Sequence, residues 1–108
     1  MFGENVAIGN GSNGNDAFQL QGIGHTLIGN KAVNNARGGF GISGENHTVS
    51  GNLASGNLQG FALSYSGRFE HNGSVSNKLD GLVVNAVGLG LVISDNEVLS
   101  NGQPSLPI

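Results

Sequence analysis

The side chains able to do chemistry in this 108-residue chain are few and dispersed: seven acids, four Lys and Arg, three His and no Cys. His25 and His47 share the contexts Gly-His-Thr-Leu and Asn-His-Thr-Val. At equal positions of a repeat they would stack on neighbouring layers, within reach of a shared proton or metal ion. The next position in that row is Gly67, so the row ends at two ligands and its expected role is structural. Asp16 lies in Gly11 to Gly22, reading GSNGNDAFQLQG, which looks like one calcium-binding nonapeptide. A single copy lacks the ligands such sites share between consecutive nonapeptides, so no cofactor is expected and calcium is the alternative. Asp16, His25 and His47 are the weak metal candidates. Tyr65, the sole Tyr, forms with Arg37 and Arg68 the candidate carbohydrate-binding set, its ring stacking on a sugar and the guanidiniums bonding an acidic one.

These groups are positioned by a repeat marked by asparagines. Pairs of Asn five positions apart recur as Asn10 with Asn15, Asn30 with Asn35, Asn52 with Asn57, Asn72 with Asn77 and Asn96 with Asn101. Three positions before the first Asn of the last four pairs stand Leu27, Val49, Phe69 and Ile93, and two after it Ala32, Ala54, Ser74 and Val98. After each second Asn, a polar or Gly-rich link leads to an apolar, any, apolar triplet: Phe18 with Leu20, Phe40 with Ile42, Phe61 with Leu63, Leu82 with Val84. Period-two alternation is the strand signature. Each repeat of 20 to 24 residues therefore reads as three short strands and three bends closing one circuit. The five-residue Asn interval is constant, whereas the other two segments vary in length.

The expected architecture is all-β: a single-stranded right-handed parallel β-helix of about five coils, with residues 1–108 as one domain and the repeat over about 6–102. Equivalent Asn on adjacent coils, about 4.8 Å apart, would bond in ladders while the Phe residues stack inside. Composition narrows the partners. Only 10% of residues are charged and the net charge is −3, which leaves no basic stripe for nucleic acid. No segment approaches the roughly 20 apolar residues of a membrane span, so no membrane insertion is expected.

This pattern resembles the parallel β-helix repeats of the pectate lyase-like superfamily, which includes polysaccharide lyases, pectin hydrolases, alginate epimerases, phage tailspikes and carbohydrate-binding proteins. The resemblance places the first Asn of each pair in the tight bend between second and third strands, and makes the triplets first strands. It implies action on the first-strand face, which here presents Gln19, Gly41, Ala62 and Val83, then Gln21, Ser43, Ser64 and Asn85. None of these is acidic or basic. Neither the carboxylate cluster of a lyase nor the paired carboxyls of a glycosidase is expected there. The expectation is thus a scaffold or carbohydrate-recognition segment of a secreted or cell-envelope carbohydrate-active protein, with a polysaccharide as partner. One alternative is a lyase, hydrolase or epimerase using Arg37 or Arg68 with a nearby acid; another is an adhesive repeat without a small ligand. Short, uncovered ends point to a fragment of a longer solenoid or to end-to-end self-association.

Overall fold

A parallel strand can pair only with a neighbour reached by a crossover, and a chain that makes the same right-handed crossover repeatedly winds into a coil. The computed structural model describes residues 2–3, 5–8, 16–85 and 90–102, with backbone alone for residues 2 and 6–8. Among these, all regular structure is β, and it forms a right-handed parallel solenoid of about four turns. One sheet contains β1 (Phe2–Gly3), β3 (Phe18–Leu20), β4 (Thr26–Ile28), β6 (Gly38–Ser50), β8 (Gln59–Glu70), β10 (Leu82–Val84) and β11 (Leu91–Ser94). The other stacks β2 (Val6–Ile8), β5 (Lys31–Val33), β7 (Leu53–Ser55), β9 (Gly73–Val75) and β12 (Glu97–Leu99).

The expected registers hold from the second coil onward. Phe18 pairs with Phe40, Phe40 with Phe61 and Phe61 with Leu82. Leu27 pairs with Val49, Val49 with Phe69 and Phe69 with Ile93. Ala32, Ala54, Ser74 and Val98 form the third row. Inside, the rings of Phe18 and Phe40 stack at 4.9 Å, those of Phe40 and Phe61 at 4.7 Å, and Phe69 meets Phe61 edge-on. Offset and edge-on ring pairs are favourable beyond the area they bury.

Three expectations are corrected. The described chain makes about four turns, not five. In the two middle turns the first and second strands run together as β6 and β8: in β8 the inward alternation Phe61, Leu63, Tyr65, Phe69 passes through the bend in phase, whereas in β6 it slips by one residue between Gly44 and His47, from Phe40 and Ile42 to His47 and Val49. The first coil is also set five residues earlier than the Asn10 and Asn15 pairing assumed. Asn5 donates from both its backbone N–H and its Nδ2 to Asn30 Oδ1, at 2.9 and 3.0 Å, and Ala7 pairs with Ala32. Asn10 and Asn15 lie outside the described residues.

The remaining ladder asparagines do what their spacing implies. Asn52 is representative: its N–H and Nδ2 both donate to Asn72 Oδ1, at 2.9 and 3.0 Å, and its Oδ1 receives the same two bonds from Asn30. The second Nδ2 proton reaches backward to Leu27 O at 2.8 Å. The row continues from Asn72 to Asn96, and a parallel row runs Asn35, Asn57, Asn77, Asn101. Every polar function of the carboxamide is used, so it can be buried without an unmet hydrogen-bonding group. No described buried side-chain nitrogen or oxygen lacks a partner.

The constant interval of five has a backbone cause. From Asn30 onward, each ladder Asn follows one residue in the left-handed region: Gly29, Gly51, His71 and Asp95 in one row, Asn34, Gly56, Ser76 and Ser100 in the other. A three-residue strand, one left-handed residue and one Asn together make the five. At His71 an L-residue holds φ at 58°, a conformation that costs it about 1–2 kcal/mol.

Two outcomes follow. Asn52→Ala should lower the unfolding free energy by about 3–5 kcal/mol, because several buried partners lose their bonds, whereas Asn96→Ala in the half-exposed last turn should lose about 1 kcal/mol. Urea denaturation followed by circular dichroism measures both. His71→Gly should raise the same quantity by about 0.5–1 kcal/mol, since relief of the left-handed strain exceeds the added chain entropy.

Candidate functional site

Outward positions of parallel strands in register form straight rows across a sheet, so the first-strand face is a ladder of side chains one strand spacing apart. Two such rows are Gln19, Gly41, Ala62, Val83 and Gln21, Ser43, Ser64, Asn85. Small residues in the middle of the first row leave a depression. An open groove of about 210 Å³ lies there, lined by Gln19, Gln21, Ser43, Ser64 and Asn85 around the floor of Gly41 and Ala62. The structure thus places a concavity on the face that the resemblance implied. Its polar lining is amide and hydroxyl, a set that donates and accepts hydrogen bonds without formal charge. Ser64 Oγ lies 3.4 Å from the backbone oxygen of Asn85.

Asp16 stands beside this groove, against its floor residue Gly41, and is not itself part of the lining. Position 16 is two residues before Phe18, and Ala17 donates its N–H to Gly38 O at 2.9 Å, which sets the segment against the second turn. Its carboxylate occupies the space that side chains at Gly38 and Gly41 would take: Oδ1 sits where the first would begin, Oδ2 where the second would. The corresponding residues of the third turn are Gln59 and Ala62, so the notch belongs to the second turn alone. Half-burial pushes the Asp16 carboxyl above its ordinary value, and a hydrogen bond from Gly38 N–H opposes that rise. No group of three or more metal-ligating side chains gathers among the described residues.

His25 and His47 stack as their spacing implied, ring centroids 5.5 Å apart and nearly parallel. His47 is fully buried, and its ring is committed on both sides. Nδ1 accepts the His25 backbone N–H at 3.1 Å, and Nε2 lies 2.8 Å from Ser43 O, which has no proton to give. The two bonds are met together by the neutral ring carrying its proton on Nε2, and no lone pair of His47 remains for a metal ion. The row does end at Gly67, where any side chain would run into the His47 backbone.

The carbohydrate set expected from Tyr65, Arg37 and Arg68 is not assembled. Tyr65 is buried, its ring tilted against His47 at 5.6 Å and its hydroxyl donating to Arg68 O at 2.8 Å. Burial pushes its phenol far above the ordinary range. The inward direction was legible: Phe61, Leu63 and Tyr65 continue one period-two alternation. Arg68 is exposed on the second strand beside Glu70, at 3.4 Å, a solvent-screened pair of little energetic weight. Arg37 is exposed in the bend before β6. The other described acids are spread along the chain: Glu45 in the bend within β6, Glu70 at the end of β8, Asp80 before β10, and Asp95 and Glu97 on either side of Asn96.

Sequence reasoning overlooked two features. The first is Asn5, although Phe2, Asn5 and Ala7 repeat the spacing of Leu27, Asn30 and Ala32. The second is a row of inward glycines, Gly39 and Gly60, read as generic bend residues. A side chain at Gly39 would collide with Gly60 O and crowd Ala54 and Asn57, so the inner corner admits no Cβ. Comparison with protein-family models, curated proteins and solved structures finds no match to this chain.

The raised Asp16 value gives a pH-dependent outcome. Because the folded carboxyl holds its proton more tightly than the unfolded one, the stability it confers is complete below the ordinary value of 3.8 and is lost as pH rises through the folded value. Asp16→Asn keeps the shape and removes the charge. The variant should match the wild-type stability in acid and exceed it increasingly towards neutral pH, as read from urea midpoints across that range.

Proposed function

We propose that this chain is a non-catalytic glycan-recognition segment of an extracellular or cell-envelope carbohydrate-active protein, related in architecture to the pectate lyase-like superfamily. The observation that carries this reading is the groove on the first-strand face, about 210 Å³ in volume and lined by two Gln, two Ser and one Asn. Glycan hydroxyls both donate and accept, and rows of amides and hydroxyls answer them without the desolvation cost of ionic groups. Successive members of a row lie about 4.8 Å apart, close to the length of one hexose unit, so a linear oligosaccharide running across the strands would meet an equivalent position at each step.

The non-catalytic part of the reading rests on what faces the groove. Ser43 and Ser64 line it, but the neighbouring His47 ring spends both nitrogens on backbone groups, so it activates neither hydroxyl. A glycosidase needs two carboxyls across the scissile bond, and none of the described acids is in the groove lining, Asp16 lying against the floor residue Gly41.

Isothermal titration with a panel of oligosaccharides tests the reading. Binding is expected without release of shortened or unsaturated products. Gln21→Ala and Asn85→Ala should each weaken affinity by about three- to tenfold, the worth of one neutral hydrogen bond. Absence of binding to every oligosaccharide, or product formation, defeats it.

A further inference from the structure

The groove carries a charge asymmetry that bears on which glycans it takes. All four cationic side chains of the chain, Lys31, Arg37, Arg68 and Lys78, lie in the described residues, and none lines the groove. Lys31 lies on β5 in the other sheet and Lys78 in the bend that follows β9. Arg68 is on the second strand, turned to solvent beside Glu70. Arg37 precedes β6, at the far end of the first strand from Ser43 and Asn85.

The formal charge seen against a floor residue of the groove is negative. The Asp16 carboxylate lies over the outward side of Gly41, whose neighbour in the row is Ala62, and both residues form the groove floor. A carboxylate there accepts two hydroxyl protons at once, one on each oxygen, while Gly38 N–H helps to hold it in place. The two glycines make this possible, since a methyl group at either position would displace the carboxyl. Toward a uronic acid the same group is repulsive; Arg37, the residue before Gly38, is the cation next to this notch in the chain, but it is exposed, forms no ion pair with Asp16 and stands outside the groove lining.

We infer that the groove selects neutral glycans, with two adjacent hydroxyls of one sugar set on the Asp16 carboxylate, and discriminates against the uronate polymers that superfamily resemblance would suggest. This inference rests on the glycan-recognition reading above and specifies its ligand class. Asp16 acts as a specificity-determining residue; it performs no chemistry.

The test is titration of the folded chain at neutral pH and low ionic strength with matched neutral and uronate oligosaccharides, each in EDTA and again with calcium. Neutral ligands are expected to bind at least about tenfold more tightly than uronates in both media, the scale of one charge-assisted hydrogen bond. Asp16→Asn should weaken neutral ligands by about tenfold and narrow the gap between classes. Gly41→Ala keeps the carboxylate but pushes it from its notch; it should weaken neutral binding comparably, with an unchanged circular dichroism spectrum. Because the collision is with the flexible end of Asp16, this second variant keeps the test decisive if Asp16→Asn fails to fold. Uronates binding as well as neutral ligands, alone or through calcium, would overturn the inference while leaving glycan recognition intact. So would neutral binding indifferent to both substitutions. If neither class binds, the groove is no glycan site and both readings fall.

Discussion

The asparagine carboxamide, donating to the turn on one side and accepting from the turn on the other, is the interaction on which the structure depends. A coil of short strands must turn sharply, and each turn leaves backbone groups that no strand partner reaches. The Asn side chain supplies those partners in identical form at every level. Asn52 alone joins Asn30, Asn72 and the backbone of Leu27. With that done, the bend can be buried, and the small interior is left to Phe, Leu, Val and the small residues facing the glycine corner. A chain of this size with so little charge and no disulfide has few other ways to hold repeated bends together.

The fold was legible because it is written several times over. Registers from Asn30 onward follow from aligning the asparagines, and the phenylalanine stack follows from the same alignment. The coil at the N-terminal side was misaligned by one ladder step because Asn10 can serve as the first member of a pair with Asn15 or as the partner of Asn5; only strand pairing at Ala7 and Ala32 decides. Bend lengths were read correctly as variable, but the continuity of β6 and β8 was not, since positive-φ residues at Gly44, Asn46 and Gly67 and a one-residue slip are invisible to spacing alone.

The site was legible as a face and illegible as a set of residues. Strand alternation identified which positions point outward, and the groove lies on them. Individual chemistry was harder. Tyr65 and Arg68 drew attention by type, yet one is a core ring and the other a solvent-facing cation whose backbone carbonyl receives the Tyr65 hydroxyl. Asp16 drew attention through a calcium-like motif. Its surroundings instead depend on glycines one turn away, 22 and 25 positions along the chain, a relation that appears only once coils are stacked.

The direction of the ladder has a consequence for how such a chain changes length through evolution. Each turn presents the same donor pair on one side and the same acceptor on the other, so any turn accepts any other as its neighbour. Duplication or loss of one complete turn restores both ladders at the junction. Loss of a single residue between paired asparagines puts one Asn of that turn out of register with the turns on both sides. The observed turns advance by 25, 22, 20 and 24 residues, with the differences confined to the two permissive bends. Length in this fold is therefore a quantised variable, incremented in whole turns and trimmed only at the corners that carry no asparagine.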